Sequence, residues 1–81
     1  MPADERLIEF IHEELLDGET IDAGTSLFRS QLLDSLALTN LILFIEESFG
    51  IRVGAMDISY DNLDSVDQMI AFIDRKRDGG A

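Results

Sequence analysis

The sequence predicts an all-α domain, a four-helix bundle with three long helices and one short one. Three observations predict it. Apolar residues recur at helical spacing in three separate stretches. Residue types that start and stop helices stand at the ends of those stretches. No alternating polar and apolar run is long enough for a strand.

The first helix is expected from about Asp4 to Leu16. Leu7, Ile8, Ile11 and Leu15 form one stripe, with Phe10 beside it, and Glu5, Glu9 and Glu13 lie on the other side. Asp17-Gly18 reads as its stop. A loop then runs from about Gly18 to Leu33. Gly18, Thr20, Asp22, Gly24, Thr25, Ser26 and Ser30 give it turn chemistry. Ile21, Leu27, Phe28, Leu32 and Leu33 make it too apolar for a solvated linker, so it is expected to pack across the helices. At about 16 residues it is long for so small a domain, and its apolar content favours a functional loop over a disordered one.

The second helix is expected from Ser35 to about Phe49. Asp34 and Ser35 are both good N-cap types. Leu38, Leu41, Ile42, Ile45 and Phe49 make the inner stripe, and Gly50 stands where a C-cap glycine would. Ile51-Arg52-Val53 reads as a brief extended link, and a short helix or turn fits Asp57 to Asn62. The last helix begins at Ser65, where Ser65-Val66-Asp67-Gln68 matches a capping box. Its inner stripe is Val66, Met69, Ile70 and Ile73. Arg75, Lys76 and Arg77 close it, where positive charge suits the helix dipole. The whole chain, 1–81, reads as one domain with an ordered core of about 4–77 and a frayed tail from Asp78 to Ala81.

Charge and composition exclude several functions. The chain has 81 residues, 17 acidic and 6 basic, for a net charge of −11. That balance repels nucleic acid and anionic membrane surfaces and points to basic protein surfaces. Hydrophobic residues are 46% of the chain, too many for a disordered acidic tail. The chain contains no cysteine, so no disulfide or thiolate zinc site can staple so small a core. The longest apolar run, Leu41 to Ile45, is far below the roughly 20 residues that span a bilayer. The acidic start Met1-Pro2-Ala3-Asp4-Glu5 does not read as a signal peptide, which makes a cytoplasmic protein the expectation.

Catalytic and metal motifs fail on inspection. Asp57-Ile58-Ser59-Tyr60-Asp61 places oxygen side chains at alternate positions, as a calcium loop does. The glycine and glutamate such a loop needs at its sixth and twelfth positions are Asn62 and Gln68, and its eighth is Asp64. His12 is the only histidine and is expected on the outer face of the first helix, so no metal site is expected. There is no nucleophilic triad motif and no phosphate-cradling glycine loop. With so few catalytic side chains, no enzyme activity is expected.

One constellation remains, Leu32-Leu33-Asp34-Ser35-Leu36 at a helix start. Alone it reads as a capped helix with a buried leucine or two. In its setting of strong acidity, a long preceding loop and an apolar helix after it, the chain resembles the acyl carrier protein family of phosphopantetheine-binding carriers. The resemblance spans roughly Leu7 to Ile73. Leu33-Asp34-Ser35-Leu36 resembles the attachment motif. Glu46-Glu47-Ser48-Phe49-Gly50-Ile51 resembles the acidic end of the second helix. Asn62-Leu63-Asp64-Ser65-Val66, with Ile70 and Ile73, resembles the turn into the fourth.

The resemblance implies that Ser35 carries 4′-phosphopantetheine, derived from coenzyme A, with Asp34 and Leu36 flanking the attachment point. The position suits an anion, because first-turn N–H groups and the helix dipole favour a phosphate. An external phosphopantetheinyl transferase would install the arm. An adenylating ligase or acyltransferase would load it, and downstream biosynthetic enzymes would receive the cargo from a monomeric carrier. Leu36, Asn40, Leu43 and Glu47 share one face of the second helix at i, i+4, i+7 and i+11, outside the inner stripe. They read either as covered by the loop or as a partner-docking strip, with charged contacts from Glu46, Glu47, Asp57 and Asp61. A cargo pocket is expected among Leu41, Ile45, Ile58, Leu63, Val66 and Met69, residues that core packing explains equally well.

The chain also departs from the pattern of primary fatty acid carriers, which have acidic residues soon after the serine. Here Ala37, Leu38, Thr39 and Asn40 occupy those positions. Leu32-Leu33 is closer to aminoacyl, peptidyl and D-alanyl carriers. The expectation is therefore a discrete acyl or aminoacyl carrier of a specialised pathway. A primary fatty acid carrier is one alternative. An unmodified acidic helical adaptor, in which Ser35 is only a cap, is the other.

Overall fold

A computed structural model describes residues 3–16 and 18–78. They form four α-helices: α1 (Ala3–Phe10), α2 (Ser35–Phe49), α3 (Tyr60–Leu63) and α4 (Val66–Asp78). A π-helical turn, Ile11–Leu15, continues α1, and a 3₁₀ turn, Ala55–Asp57, precedes α3. Among the described residues there is no strand. The expected stop at Asp17 and the expected fraying at 79–81 lie outside the described residues, whereas Asp78, expected in the frayed tail, is the last residue of α4.

The first helical segment is not one regular α-helix. Leu7 and Ile11 are fully buried, as the stripe requires, but the next buried residue is Leu16 rather than Leu15. The π turn is the reason. Leu16 N–H donates to the Ile11 carbonyl five residues back, at 2.9 Å. The wider turn brings Leu16 under Ile11 and leaves Leu15 half-buried. His12, expected on the outer face, is half-buried, with Nδ1 2.8 Å from the Glu19 carbonyl oxygen.

Local chemistry bounds α2 at both ends. The Asp34 carboxylate accepts from Ala37 N–H at 2.9 Å, and Gly50 ends the helix at φ +67°. Within it, Leu41 and Ile45 are fully buried, while Leu38, Ile42 and Phe49 are half-buried. Phe44 stacks on Phe10 of α1 with ring centroids 4.1 Å apart, and the Arg6 guanidinium lies 5.1 Å over Phe49. These contacts fasten α2 to α1.

The short helix is later than expected, at Tyr60–Leu63 rather than Asp57–Asn62, because two turns share that stretch. Gly54 N–H donates to the Asp57 carboxylate at 3.0 Å and stabilises the 3₁₀ turn, and the chain restarts after Ser59. In α4 the inner face includes Phe72, 2% exposed, whereas Ile70 is half-buried. The cap of α4 is half of the expected reciprocal box. Gln68 N–H donates to Ser65 Oγ, but the Ser65 hydroxyl meets Gln68 Oε1 where a full box would use Ser65 N–H. Helix α4 packs against α1 and α3.

The long loop packs across the helices. Leu27 is fully buried and Leu33 nearly so, both within the cluster formed by Leu7, Ile11, Leu41, Ile45, Leu63, Val66, Met69 and Ile73. Leu32 is left exposed.

Candidate functional site

Ser35 is the first residue of α2 and is exposed. Asp34 fixes this helix start: its carboxylate takes Ala37 N–H, and its carbonyl takes Leu38 N–H at 3.0 Å. The N–H groups of Ser35 and Leu36 have no carbonyl one turn back inside the helix and face the end where the helix dipole is positive. An anionic group on the Ser35 hydroxyl would be stabilised there. The residues present thus fit a phosphodiester.

Ser35 borders an open cleft of about 490 Å³. One wall is the loop, through Phe28 and Leu33. The other is the segment Ile58, Ser59 and Tyr60 with Leu63 of α3, and Asp34, Ser35 and Leu38 form the floor. The lining is mostly apolar. Of the six residues expected around a cargo, the cleft is lined by Ile58 and Leu63. Leu41, Ile45, Val66 and Met69 are fully buried and fill the core.

Asp64 positions the loop wall, and sequence reasoning missed it. Its side chain is buried, and its carboxylate accepts from Phe28 N–H at 2.8 Å, Arg29 N–H at 2.9 Å and the Ser26 hydroxyl at 2.7 Å. Leu27 N–H donates to its carbonyl at 2.7 Å. Burial pushes the carboxyl up, but the Arg29, Ser26 and Phe28 hydrogen bonds and the Arg29 charge outweigh it and hold it below the usual aspartate range. The partners stand 35 to 38 residues away in sequence, so no local pattern announces them.

The opposite wall is stitched to α4. Lys76 Nζ lies 2.9 Å from Asp57, Arg75 donates to Asn62 Oδ1 at 2.7 Å, and Asn62 Nδ2 donates to the Asp57 carbonyl at 2.8 Å. The Lys76 hydrogen bond, then the Gly54 N–H, hold the Asp57 carboxyl low against a smaller opposing effect of burial.

The candidate docking residues divide by what already holds them. Leu36 and Leu43 are 70% and 51% exposed, and the loop does not cover them. Asn40 and Glu47 are exposed on the same face. Glu46 instead accepts Val53 N–H at 2.9 Å and ties the link after α2 to the helix. Asp57 is bound to Lys76 and Gly54. Asp61 is exposed and meets the Arg29 guanidinium, itself largely in solvent, at 3.6 Å. Among the described residues, no cluster of three His, Cys, Asp or Glu side chains could hold a metal ion, and no helix is long and apolar enough to cross a membrane.

Two comparisons bear on this arrangement. The phosphopantetheine attachment site family matches residues 5–73. A Serratia protein named "Probable acyl carrier protein PigG" is 32% identical over 72 residues, which cover 86% of this chain and 83% of the Serratia protein.

Proposed function

The chain belongs to the phosphopantetheine attachment site family, and from that premise we propose that Ser35 is the attachment point. Members of the family are carriers with a covalent 4′-phosphopantetheine group, and they work with a phosphopantetheinyl transferase and biosynthetic enzymes. The observation that carries the assignment is the exposed Ser35 hydroxyl at the capped start of α2, on the edge of the apolar cleft. The arm supplies the thiol that the sequence lacks. Asp34 holds the helix start in place, and Leu36 offers an apolar surface beside the hydroxyl. The chain itself has no catalytic activity in this reading. It keeps a thioester at high effective concentration near each enzyme it visits.

The cargo is an acyl or aminoacyl group delivered in the cytoplasm by an adenylating ligase or an acyltransferase, in a specialised pathway rather than primary fatty acid synthesis. The apolar start of the docking helix supports this. Leu36 and Leu43 are exposed, while Ala37, Thr39 and Asn40 bring no charge. Glu47 and Asp61 supply the available negative charge for docking. The cleft, through Ile58 and Leu63, gives the cargo an apolar resting place. A monomer suits a carrier with this self-repelling charge.

Intact mass after incubation with coenzyme A and a broad-specificity phosphopantetheinyl transferase tests the assignment. The wild type gains one phosphopantetheine and Ser35→Ala gains none. No gain in the wild type with several such transferases would favour the unmodified adaptor. Loading of the holo protein by an aminoacyl-activating ligase, compared with a fatty acid transacylase, tests the choice of pathway.

A further inference from the structure

Two acids that flank the cleft-lining residues Ile58, Ser59 and Tyr60 look alike in sequence but are held very differently. Asp57 shares a half-buried contact with Lys76 at 2.9 Å and also takes Gly54 N–H. Asp61 meets Arg29 at 3.6 Å, with both side chains largely in solvent, 89% and 60% exposed. The same Arg29 guanidinium lies 5.2 Å over the ring of Tyr60, which lines the cleft. Arg29 follows Phe28 of the opposite wall, and Asp64 fixes the backbone of both residues. The Arg29 side chain therefore bridges the two walls of the cleft. Its backbone is pinned by a buried carboxylate, but its head is held by two exposed and weak contacts.

We propose that Arg29 is an internal stand-in for a partner's cation, so that docking and opening of the cleft beside Ser35 are one event. A basic side chain on the partner takes Asp61 from Arg29. The Arg29 head leaves Tyr60, and the Tyr60 wall is freed from the loop wall. The Asp57–Lys76 and Arg75–Asn62 contacts remain as the fixed edge about which Tyr60 moves. The exchange replaces one exposed ion pair with another, so it asks little of the partner beyond a correctly placed cation. Asp61 is then a docking acid and Asp57 a structural one. This inference rests on the carrier reading, in which cargo on the Ser35 arm lies in the cleft.

The test uses full-length protein loaded from a short-chain acyl-coenzyme A by a broad-specificity phosphopantetheinyl transferase. The readout is the rate at which hydroxylamine cleaves the thioester. In dilute buffer, Arg29→Gln and Asp61→Asn each raise the rate on the order of two- to five-fold, the range an exposed ion pair can account for. Arg29→Lys, which keeps the charge, stays closer to the wild type. Salt raises the wild-type rate toward that of the variants. A short lysine peptide, the probe for a basic partner, speeds cleavage in the wild type and not in Asp61→Asn. Equal rates in the wild type and Arg29→Gln would overturn the proposal, as would a peptide effect that survives Asp61→Asn. A wild type that gains no mass on loading would instead overturn the carrier reading, and this proposal with it.

Discussion

Asp64 shows most directly how a single side chain can organise a site it does not touch. It takes no place in the cleft, yet it receives the N–H groups of Phe28 and Arg29 and the hydroxyl of Ser26. Replacing it with asparagine removes the charge from these bonds and is expected to cost about 1–3 kcal/mol of stability at neutral pH. The pH dependence has a definite sign. The folded carboxyl titrates below its ordinary value of 3.8, so its contribution is present above that value and is lost as pH falls through the folded pKa. Denaturant unfolding of the wild type and Asp64→Asn over an acid series should show the gap between them narrowing as pH drops. A gap that stays constant into strong acid would mean the charge is not what matters. The segment around Asp64 does not reveal this role, because the partners of its carboxylate all come from the distant loop. By contrast, Asp34 and Ser35 were legible, since a helix cap acts on its own first turn.

At the scale of the elements, α2 is the helix whose limits could be read from the chain, and Gly50 is why its end is sharp. The residue has φ +67°, where an L side chain strains the backbone, although a Cβ there would meet nothing within 4 Å. Gly50→Ala should therefore cost about 1 kcal/mol through backbone conformation alone. Urea unfolding should give a lower midpoint with an unchanged slope, and an unchanged midpoint would mean the helix end relaxes freely. The first helix was less legible. An ideal α-helical wheel puts Leu15 beneath Ile11, whereas the π turn puts Leu16 there. The choice between the two turns depends on what packs against them, and periodicity does not contain that information. The stretch from Ala55 to Leu63 departs from the expected single short helix or turn for a related reason. A 3₁₀ turn and a four-residue helix together carry too few residues to show a period.

Across the whole molecule, charge is the dominant asymmetry. Seventeen acids face six cations, and three of those cations, Arg29, Arg75 and Lys76, are engaged with residues 57–62. Elsewhere the surface repels itself, so screening should stabilise the fold. The melting temperature is expected to rise between dilute buffer and moderate salt. A flat or falling value would show that the favourable pairs outweigh the repulsion. The same salt should loosen the Arg29 contact, so global stability and closure of the cleft respond in opposite directions. Composition alone foretold the first effect. The second needed the structure, because it depends on which partner each cation has found.

The link between Asp64 and residues 26–29 also sets an order of events as the chain is made. Helix α2 can begin to form from its own sequence, with Asp34 and Gly50 marking its limits. The wall that completes the cleft beside Ser35 cannot settle until a residue 35 to 38 positions beyond its partners has been synthesised and has folded back. A nascent chain would thus present Ser35 well before the cleft beside it is complete. Any enzyme that recognises the finished cleft, and not the bare helix, would distinguish completed molecules from fragments without a separate inspection step.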